Sequence, residues 1–440
     1  MKIVIAGAGK VGFELARALS QDHDVTVIDK NAQALERLGE LIDIYPVTGD
    51  IKNPATYRRL LDQQVDVFIA VTDSDEANIL SVLIASDTIA IDRRIIRLRD
   101  DVFAQSRFLN QTGALEPVFP YRLSAETVRW LLRYPEANNV KHFAHTRHAL
   151  ISIKVDNPLH EAKTVEEFEN DRLKIVGLER DKRFMLPTKE TAIHHGDLLY
   201  FLGDGAVLES LYGQLDLQMP PHIEHAVVFG GNALGIEVAK VLIDEGVRVK
   251  IVEKDIEQCH RLSDIFQDKA LVINSHYDEA ILYEEEHLDR ANMVITTDRK
   301  DEINIVRALQ AKEHGIPKVI AINNEHKYYP LMHQLGMVVA RGPQTSVFYA
   351  ILESIARDAT LQIRHFCGGE GVVLAHTILE KSTLIGRPIR AWKREGSLWV
   401  VRDDHIGAVS AESRLDVGDM LLLVTQAAYE NEGIAWMRTL

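Results

Sequence analysis

An α/β fold with two doubly wound parallel sheets, each followed by a small α/β module, follows from three features of the sequence. Short β-branched runs alternate with amphipathic helical segments along both halves of the chain. Each half opens with a strand that runs into a glycine-rich turn and a helix, at Lys2–Gly12 and at His225–Gly235. The register then holds between the halves, which makes the chain a duplication of a unit of roughly 220 residues.

The first strand, Lys2–Ala6, is long enough for a buried parallel strand and too short for a helix. It leads into Gly7-Ala8-Gly9-Lys10-Val11-Gly12, after which Val11, Leu15, Ala18 and Leu19 recur at helical spacing. A second strand, Asp24–Ile28, ends at Asp29, 22 positions beyond Gly7. This is GxGxxG in the context it requires, with a strand before, a helix after and an acid at a second strand end. Gly7 permits the tight turn, Gly9 lets backbone approach a pyrophosphate, and Gly12 lets helix and strand pack closely. Lys10 and Val11 stand at the helix N-terminus, where free N–H groups and the positive end of the dipole favour phosphate. Asp29 can accept hydrogen bonds from both ribose hydroxyls and so disfavours a 2′-phosphate, while the adjacent Lys30 works the other way. A glycine turn that binds nothing is the plainer reading, but the agreement of strand, glycines, helix and acid favours a nucleotide site.

The alternation continues with strands expected at Asp43–Val47, Val65–Thr72, Ile95–Arg99 and Ala114–Phe119, which completes a Rossmann sheet. Three strand ends point at one crevice. Asp50, after Gly49, can reach an adenine edge or a ribose; Thr72 opens the segment Thr72-Asp73-Ser74-Asp75-Glu76; and Arg97 can contact phosphate. The plainer roles are a turn for Gly49-Asp50, an N-cap for Ser74 or Asp75 and a strand-edge charge for Arg97. A crossover helix at Ser124–Leu132 carries Val128, Leu131 and Leu132 on one side, with Trp130 nearby; it packs one unit against another or within its own domain.

In the second half, Gly7 corresponds to Gly230, Gly12 to Gly235 and Asp29 to Glu253. Asp75-Glu76-Ala77-Asn78-Ile79 corresponds to Asp301-Glu302-Ile303-Asn304-Ile305, and Gly113 to Gly336. The chemistry is degraded there: Gly9 becomes Asn232, Gly49-Asp50 becomes Ser275-His276, and Arg97 aligns with Ala321. Gly230, Gly235 and Glu253 remain candidates for a second nucleotide site, against a purely structural second fold. Strands at Leu150–Val155, Leu173–Leu178 and Leu198–Leu202, with the turn His195-Gly196-Asp197, form the first small module. Strands at Val372–His376, Leu398–Arg402 and Met420–Val424, with Gly418-Asp419, form the second. The domains are therefore placed at 1–135, 143–218, 223–357 and 364–440, with Pro220-Pro221 at the seam.

The 440 residues carry a formal net charge of −15, which argues against nucleic acid or anionic lipid as the main partner. Cys259 and Cys367 are the two cysteines, with no metal-ligand spacing, as expected in a reducing compartment. The 18 histidines are scattered; His194-His195 point apart on a strand, and His142/His145 need further ligands, so no metal site is expected. The chain opens on a strand and turn rather than a signal peptide, and no apolar run approaches the ~18 residues of a membrane span. A cytoplasmic protein is expected.

The four-part order, with GAGKVG, TDSDEAN and the paired Gly-Asp turns, resembles the TrkA family of peripheral subunits of bacterial Trk potassium uptake systems. Each half resembles an RCK (KTN) domain followed by a TrkA-C module. The resemblance covers essentially the whole chain. It implies a homo-oligomeric ring, a tetramer, on the inner face of the membrane beneath a TrkH/TrkG-like potassium channel or transporter. It also implies a conformation set by NAD/NADH, with ATP/ADP as a second candidate. Carried over, the ligand positions are Gly7, Gly9, Gly12, Asp29, Asp50, Thr72 and Arg97, with Gly230, Gly235 and Glu253 as counterparts. No catalytic residue is expected. An NAD-dependent oxidoreductase is the competing reading, but His194, His195 and His376 lack a partnered carboxylate pattern and one active site does not need a duplicated unit. A nucleotide-sensing regulator of a different ion transporter is the other alternative.

Overall fold

The structure, a computed structural model, describes residues 1–60, 64–100, 102–103, 115–143, 146–157, 163–181, 183–211, 215, 222–276, 281–355, 361–380, 382, 384–410 and 412–439. Gly113, Ala114, His145 and Pro220-Pro221 lie outside these. The chain divides into two compact units: Met1–Ala125 with Arg341–Ile355, and Glu126–Ala340 with Ala356–Leu440.

In the first unit, strands β1 (Lys2–Ala6), β2 (Asp24–Asp29), β3 (Tyr45–Thr48), β4 (Val65–Ala70), β5 (Ile91–Arg97) and β6 (Leu115–Val118) form one sheet. The order is β3-β2-β1-β4-β5-β6, parallel throughout. Alternation along the strands divides the core between the two faces. Ile3, Ile5, Val67 and Ile69 pack with Val11 and Leu15 of the helix Lys10–Leu19. Val4, Ala6, Phe68 and Ala70 pack with Val82 and Ala85 of the helix Asp75–Thr88. A sheet covered on both faces needs strands apolar on both sides, which is why β1 reads as a continuous run. The strand order reverses between β1 and β4, which opens a crevice at their carboxyl ends.

The helix Pro343–Ile355, which follows the second parallel sheet in sequence, also belongs to this unit. Its Val347, Ile351 and Ile355, spaced four apart, bury against Val11, Leu15 and their neighbours. At roughly 1.5–3 kcal/mol per buried aliphatic side chain, these three contribute several kcal/mol as an upper bound. Polar contacts fix its position. Arg93 donates to the Ser354 carbonyl at 2.9 Å and pairs with Glu116 at 2.7 Å, and Ser346 Oγ lies 3.1 Å from Ser124 Oγ.

The second unit holds a matching parallel sheet of β12 (His225–Phe229), β13 (Arg248–Glu253), β14 (Ala270–Asn274), β15 (Met293–Thr296), β16 (Lys318–Asn323) and β17 (Val338–Arg341). Its order, β14-β13-β12-β15-β16-β17, repeats the first. Two antiparallel five-stranded sheets accompany it. One contains β7 (Ala137–His142), β8 (His148–Lys154), β9 (Leu173–Arg180), β10 (Arg183–Met185) and β11 (Leu198–Asp204), in the order β10-β9-β11-β8-β7. The other contains β18 (Leu361–Phe366), β19 (Gly371–Thr377), β20 (Gly396–Arg402), β21 (His405–Ala408) and β22 (Met420–Gln426), in the order β18-β19-β22-β20-β21. Read from opposite ends, the two orders are the same. Leu150, Val176 and Leu202 of one sheet share a core with Val373, Leu422 and Val424 of the other.

The Gly-Asp turns have the same construction in both modules. Asp197 accepts the fork of Arg180 at 2.8 and 2.7 Å and the His194 N–H at 2.8 Å. Asp419 accepts the fork of Arg402 at 2.8 and 2.6 Å and the Asp416 N–H at 2.8 Å. Each buried carboxylate is thereby fully hydrogen-bonded, as burial of a charge demands. The crossover helix runs Pro120–Arg133, longer than Ser124–Leu132; Val128 and Leu131 are buried, and in the second unit Arg129 pairs with Glu126 and Glu245.

Candidate functional site

In the first unit, a cleft of about 420 Å³ lies at the carboxyl ends of β1–β4, lined by Gly7, Asp29, Lys30, Asp50, Lys52 and Thr72, among others. Gly7 brings the start of the glycine-rich loop to its lining. Gly7 has φ of +116°, in the region that favours glycine, and its N–H donates to the Ile28 carbonyl at 2.9 Å. A Cβ on Gly12 would sit 1.9 Å from the Gly7 carbonyl oxygen, so helix and loop meet only because position 12 lacks one. A Cβ on Gly9 would meet nothing within 4 Å. Gly9 is the N-cap of the helix Lys10–Leu19, and no side chain caps that end. Val11 turns its side chain into the core, so only its backbone is available at the loop, while Lys10 is exposed.

Asp29, half-buried at the end of β2, organises the loop through backbone N–H groups. Its Oδ2 accepts from Ala8 at 2.7 Å and its Oδ1 from Asn31 at 2.8 Å. Each carboxylate oxygen has a further lone pair for a ribose hydroxyl. Asp50 accepts from the Lys52 N–H at 2.9 Å, while its carbonyl holds the Thr56 hydroxyl at 2.8 Å. Thr72 is set by Asn78, a residue that pattern reading leaves without a role. Asn78, fully buried, accepts from the Thr72 N–H at 2.9 Å and hydroxyl at 2.7 Å and donates to the carbonyls of Thr72 and Arg97. It ties the ends of β4 and β5 to the start of the following helix.

Arg97 stands apart from the other candidates. It is 7% exposed and is not among the residues that line the cleft; its guanidinium pairs with the exposed Asp73 at 3.2 Å. Burial pulls its pKa below the ordinary arginine value, and Asp73 opposes that shift. The structure thus gathers Gly7, Asp29, Asp50 and Thr72 into one cleft. Gly9, Lys10, Val11 and Gly12 lie at its loop and helix start, and Arg97 is joined to it through Asp73.

The second loop keeps the frame and changes the mouth. Gly230 has φ of +105°, and a Cβ on Gly235 would again lie 1.9 Å from the carbonyl before it in the loop, that of Gly230. Glu253, 8% exposed, accepts from Gly231 at 2.7 Å, Lys254 at 2.9 Å and Asp255 at 3.0 Å. Asn304 repeats Asn78, bonding the Asp298 N–H and carbonyl and the Ile322 carbonyl. That last contact corrects the sequence alignment: Arg97 corresponds to Ile322, not Ala321. Strand pairing agrees, since Ala70 faces Ile96 where Thr296 faces Ala321. The chain is one residue shorter between Asp301 and Asn324 than between Asp75 and Arg99, although both acids receive the paired N–H.

Among the described residues there is no group of three or more His, Cys, Asp and Glu placed to hold a metal ion, and no helix long and apolar enough to cross a membrane.

Residues 3–120 and 226–341 match the TrkA-N domain family. A relative described as Trk system potassium uptake protein TrkA homolog, from Archaeoglobus fulgidus, is 27% identical over 413 residues, covering 93% of this chain and 91% of its own length. Trk system potassium uptake protein TrkA of Vibrio alginolyticus is 27% identical over 404 residues, covering 88% of this chain and 87% of its own. Two solved structures share the fold. The GsuK channel bound to NAD matches with a TM-score of 0.62 at 18% identity, over 100% of this chain and 79% of that one. GsuK bound to ADP matches with a TM-score of 0.51 at 17% identity, over 81% of this chain and 69% of that one. With two TrkA-N domains that together take up more than half of its length, the chain belongs to the TrkA-N family.

Proposed function

We propose that this chain is a regulatory subunit of a potassium uptake system and that a nucleotide in the first cleft sets its conformation. The observation that carries the reading is the uncapped helix start at Gly9, two residues on from Gly7, which lines a cleft with Asp29, Asp50 and Thr72. A pyrophosphate on the N–H groups of that helix would complete a terminus that no side chain completes. The ribose would meet the free lone pairs of Asp29, and Asp50 would face the adenosine. NAD or NADH is the first ligand proposed, with ATP and ADP second. The names of the Trk relatives, and the NAD and ADP bound to GsuK, support both parts of the reading.

The four parts are proposed as 1–135, 143–218, 223–357 and 364–440. The partner proposed is an integral-membrane potassium channel or transporter subunit, with copies of this chain assembled as a ring on its cytoplasmic side. Gating then requires that the nucleotide bind one ring conformation more tightly than the other, because equal affinity shifts nothing. A difference of about 100-fold supplies roughly 2.7 kcal/mol per site, and several sites multiply the effect. No chemical step is assigned to the chain.

The test is a titration of the purified protein with NADH, NAD, ATP and ADP while NADH absorbance is followed with small carbonyl compounds present. Micromolar binding that weakens at least tenfold in Asp29→Ala, with no NADH consumed, supports a sensor. Steady NADH oxidation would show a dehydrogenase, and absence of binding by all four nucleotides would remove the sensor reading.

A further inference from the structure

We propose that the second glycine-rich loop is held shut by the side chain of Asn232, so that each chain takes up one nucleotide, in the first cleft. The inference rests on the nucleotide reading of that cleft. Asn232 occupies the position of Gly9. Its Oδ1 accepts the N–H groups of Leu234 at 2.9 Å and Gly235 at 3.1 Å, the counterparts of Val11 and Gly12. Its Nδ2 donates to the Thr297 carbonyl at 2.6 Å, so the amide spans from the helix start to the end of β15. The donors that a pyrophosphate needs are therefore already taken, and by a group anchored at both ends.

Three further residues act in the same direction. Gln258 stands where the first copy has Ala34, and its amide reaches back to the Gly231 carbonyl. Gly231 is buried, and a Cβ there would lie 2.3 Å from Leu262 Cδ1, so the loop has closed onto the helix Ile256–Phe266. Glu253 holds three backbone N–H groups from a buried position, whereas Asp29 holds two from the wall of an open cleft. A ribose would have to displace Gln258 and expose Glu253 before its hydroxyls found an acceptor. Asn232 is thus a specificity-determining residue: it satisfies the helix with a resident amide in place of a ligand.

The experiment is a stoichiometric titration of the full chain with NADH and, separately, with ATP. Wild type is expected to take up one equivalent per chain, and Asp29→Ala to lose that site at least tenfold with no second site revealed. Asn232→Gly combined with Gln258→Ala is expected to add a second, weaker equivalent, while Asn232→Ser, which keeps a cap, adds none. Two equivalents in wild type, or one of unchanged affinity in Asp29→Ala, would overturn the proposal. If no nucleotide binds wild type at all, the proposed function fails first, and amide exchange then judges Asn232 on its own. Asn232→Gly should speed exchange at Leu234 and Gly235 by at least tenfold, and unchanged exchange would show that Asn232 holds nothing shut.

Discussion

The loops Gly7–Gly12 and Gly230–Gly235 share a turn, a helix packing distance and an acid at the next strand end, yet one ends in an uncapped helix and the other in a capped one. What the two copies retain is the part that stability requires. Gly12 and Gly235 answer the same steric demand, Asn78 and Asn304 make the same latch, and Asp75 and Asp301 receive the same backbone N–H pair. What differs lies at the mouth, where Gly9, Ala34 and Asp29 face Asn232, Gln258 and Glu253. The lesson is that a glycine-rich fingerprint mixes two kinds of glycine. Those that permit packing persist in both copies, and the one proposed to admit a ligand, Gly9, is the one that has changed, to Asn232.

Substitutions can separate the two kinds. The largest effect is expected from Gly12→Val and Gly235→Val, each of which forces a side chain into a backbone carbonyl. Both should cost about 3 kcal/mol or more in urea unfolding. Tolerance in one copy alone would break the structural equivalence of the loops. Next, Asn78→Ala and Asn304→Ala should each cost about 2–3 kcal/mol, because each leaves several buried backbone groups unpaired. The acids should then diverge. Glu253→Ala is expected to lose about 2 kcal/mol of stability with nucleotide affinity unchanged, and Asp29→Ala to lose less stability but at least tenfold in affinity. The smallest effect on folding belongs to Gly9→Ala. With φ of −70° and open space at its Cβ, it should move stability by less than about 0.5 kcal/mol, while calorimetry shows weakened nucleotide binding. A large loss of stability in Gly9→Ala would mean that this glycine serves packing after all.

Much of the frame was legible in the sequence. Strands at Lys2–Ala6 and His225–Phe229 fall where their apolar runs place them, because a strand buried on both faces has no alternative pattern. The strands that pattern reading missed, β7, β10, β18 and β21, are the edges of the two antiparallel sheets. Ala137–His142 is largely polar in sequence and Arg183–Met185 is only three residues long, so neither carries much hydrophobic signal. The one-residue misalignment of Arg97 has a related cause. A deletion ahead of β16 leaves the apolar period of the strand intact, and only tertiary pairing, the Asn304 bond to the Ile322 carbonyl and the register of β15 on β16, reveals the true counterpart.

The sequence by itself determined the elements that have a period or a steric signature: the duplicated parallel sheets, the glycine turns and the acids at strand ends. These depend on neighbours within a few residues, so local order writes them into the chain. Only the tertiary structure decided that Val347, Ile351 and Ile355 complete the core of the first sheet. An amphipathic stripe states that a face will be buried and leaves open which surface buries it. The same holds for Asn78, Asn232 and Arg97. Each is a polar residue whose role depends on a partner beyond its own element, 19 residues away for Asn78, 24 for Arg97 and 65 for Asn232, and hydrogen-bond geometry across the fold is what selects them.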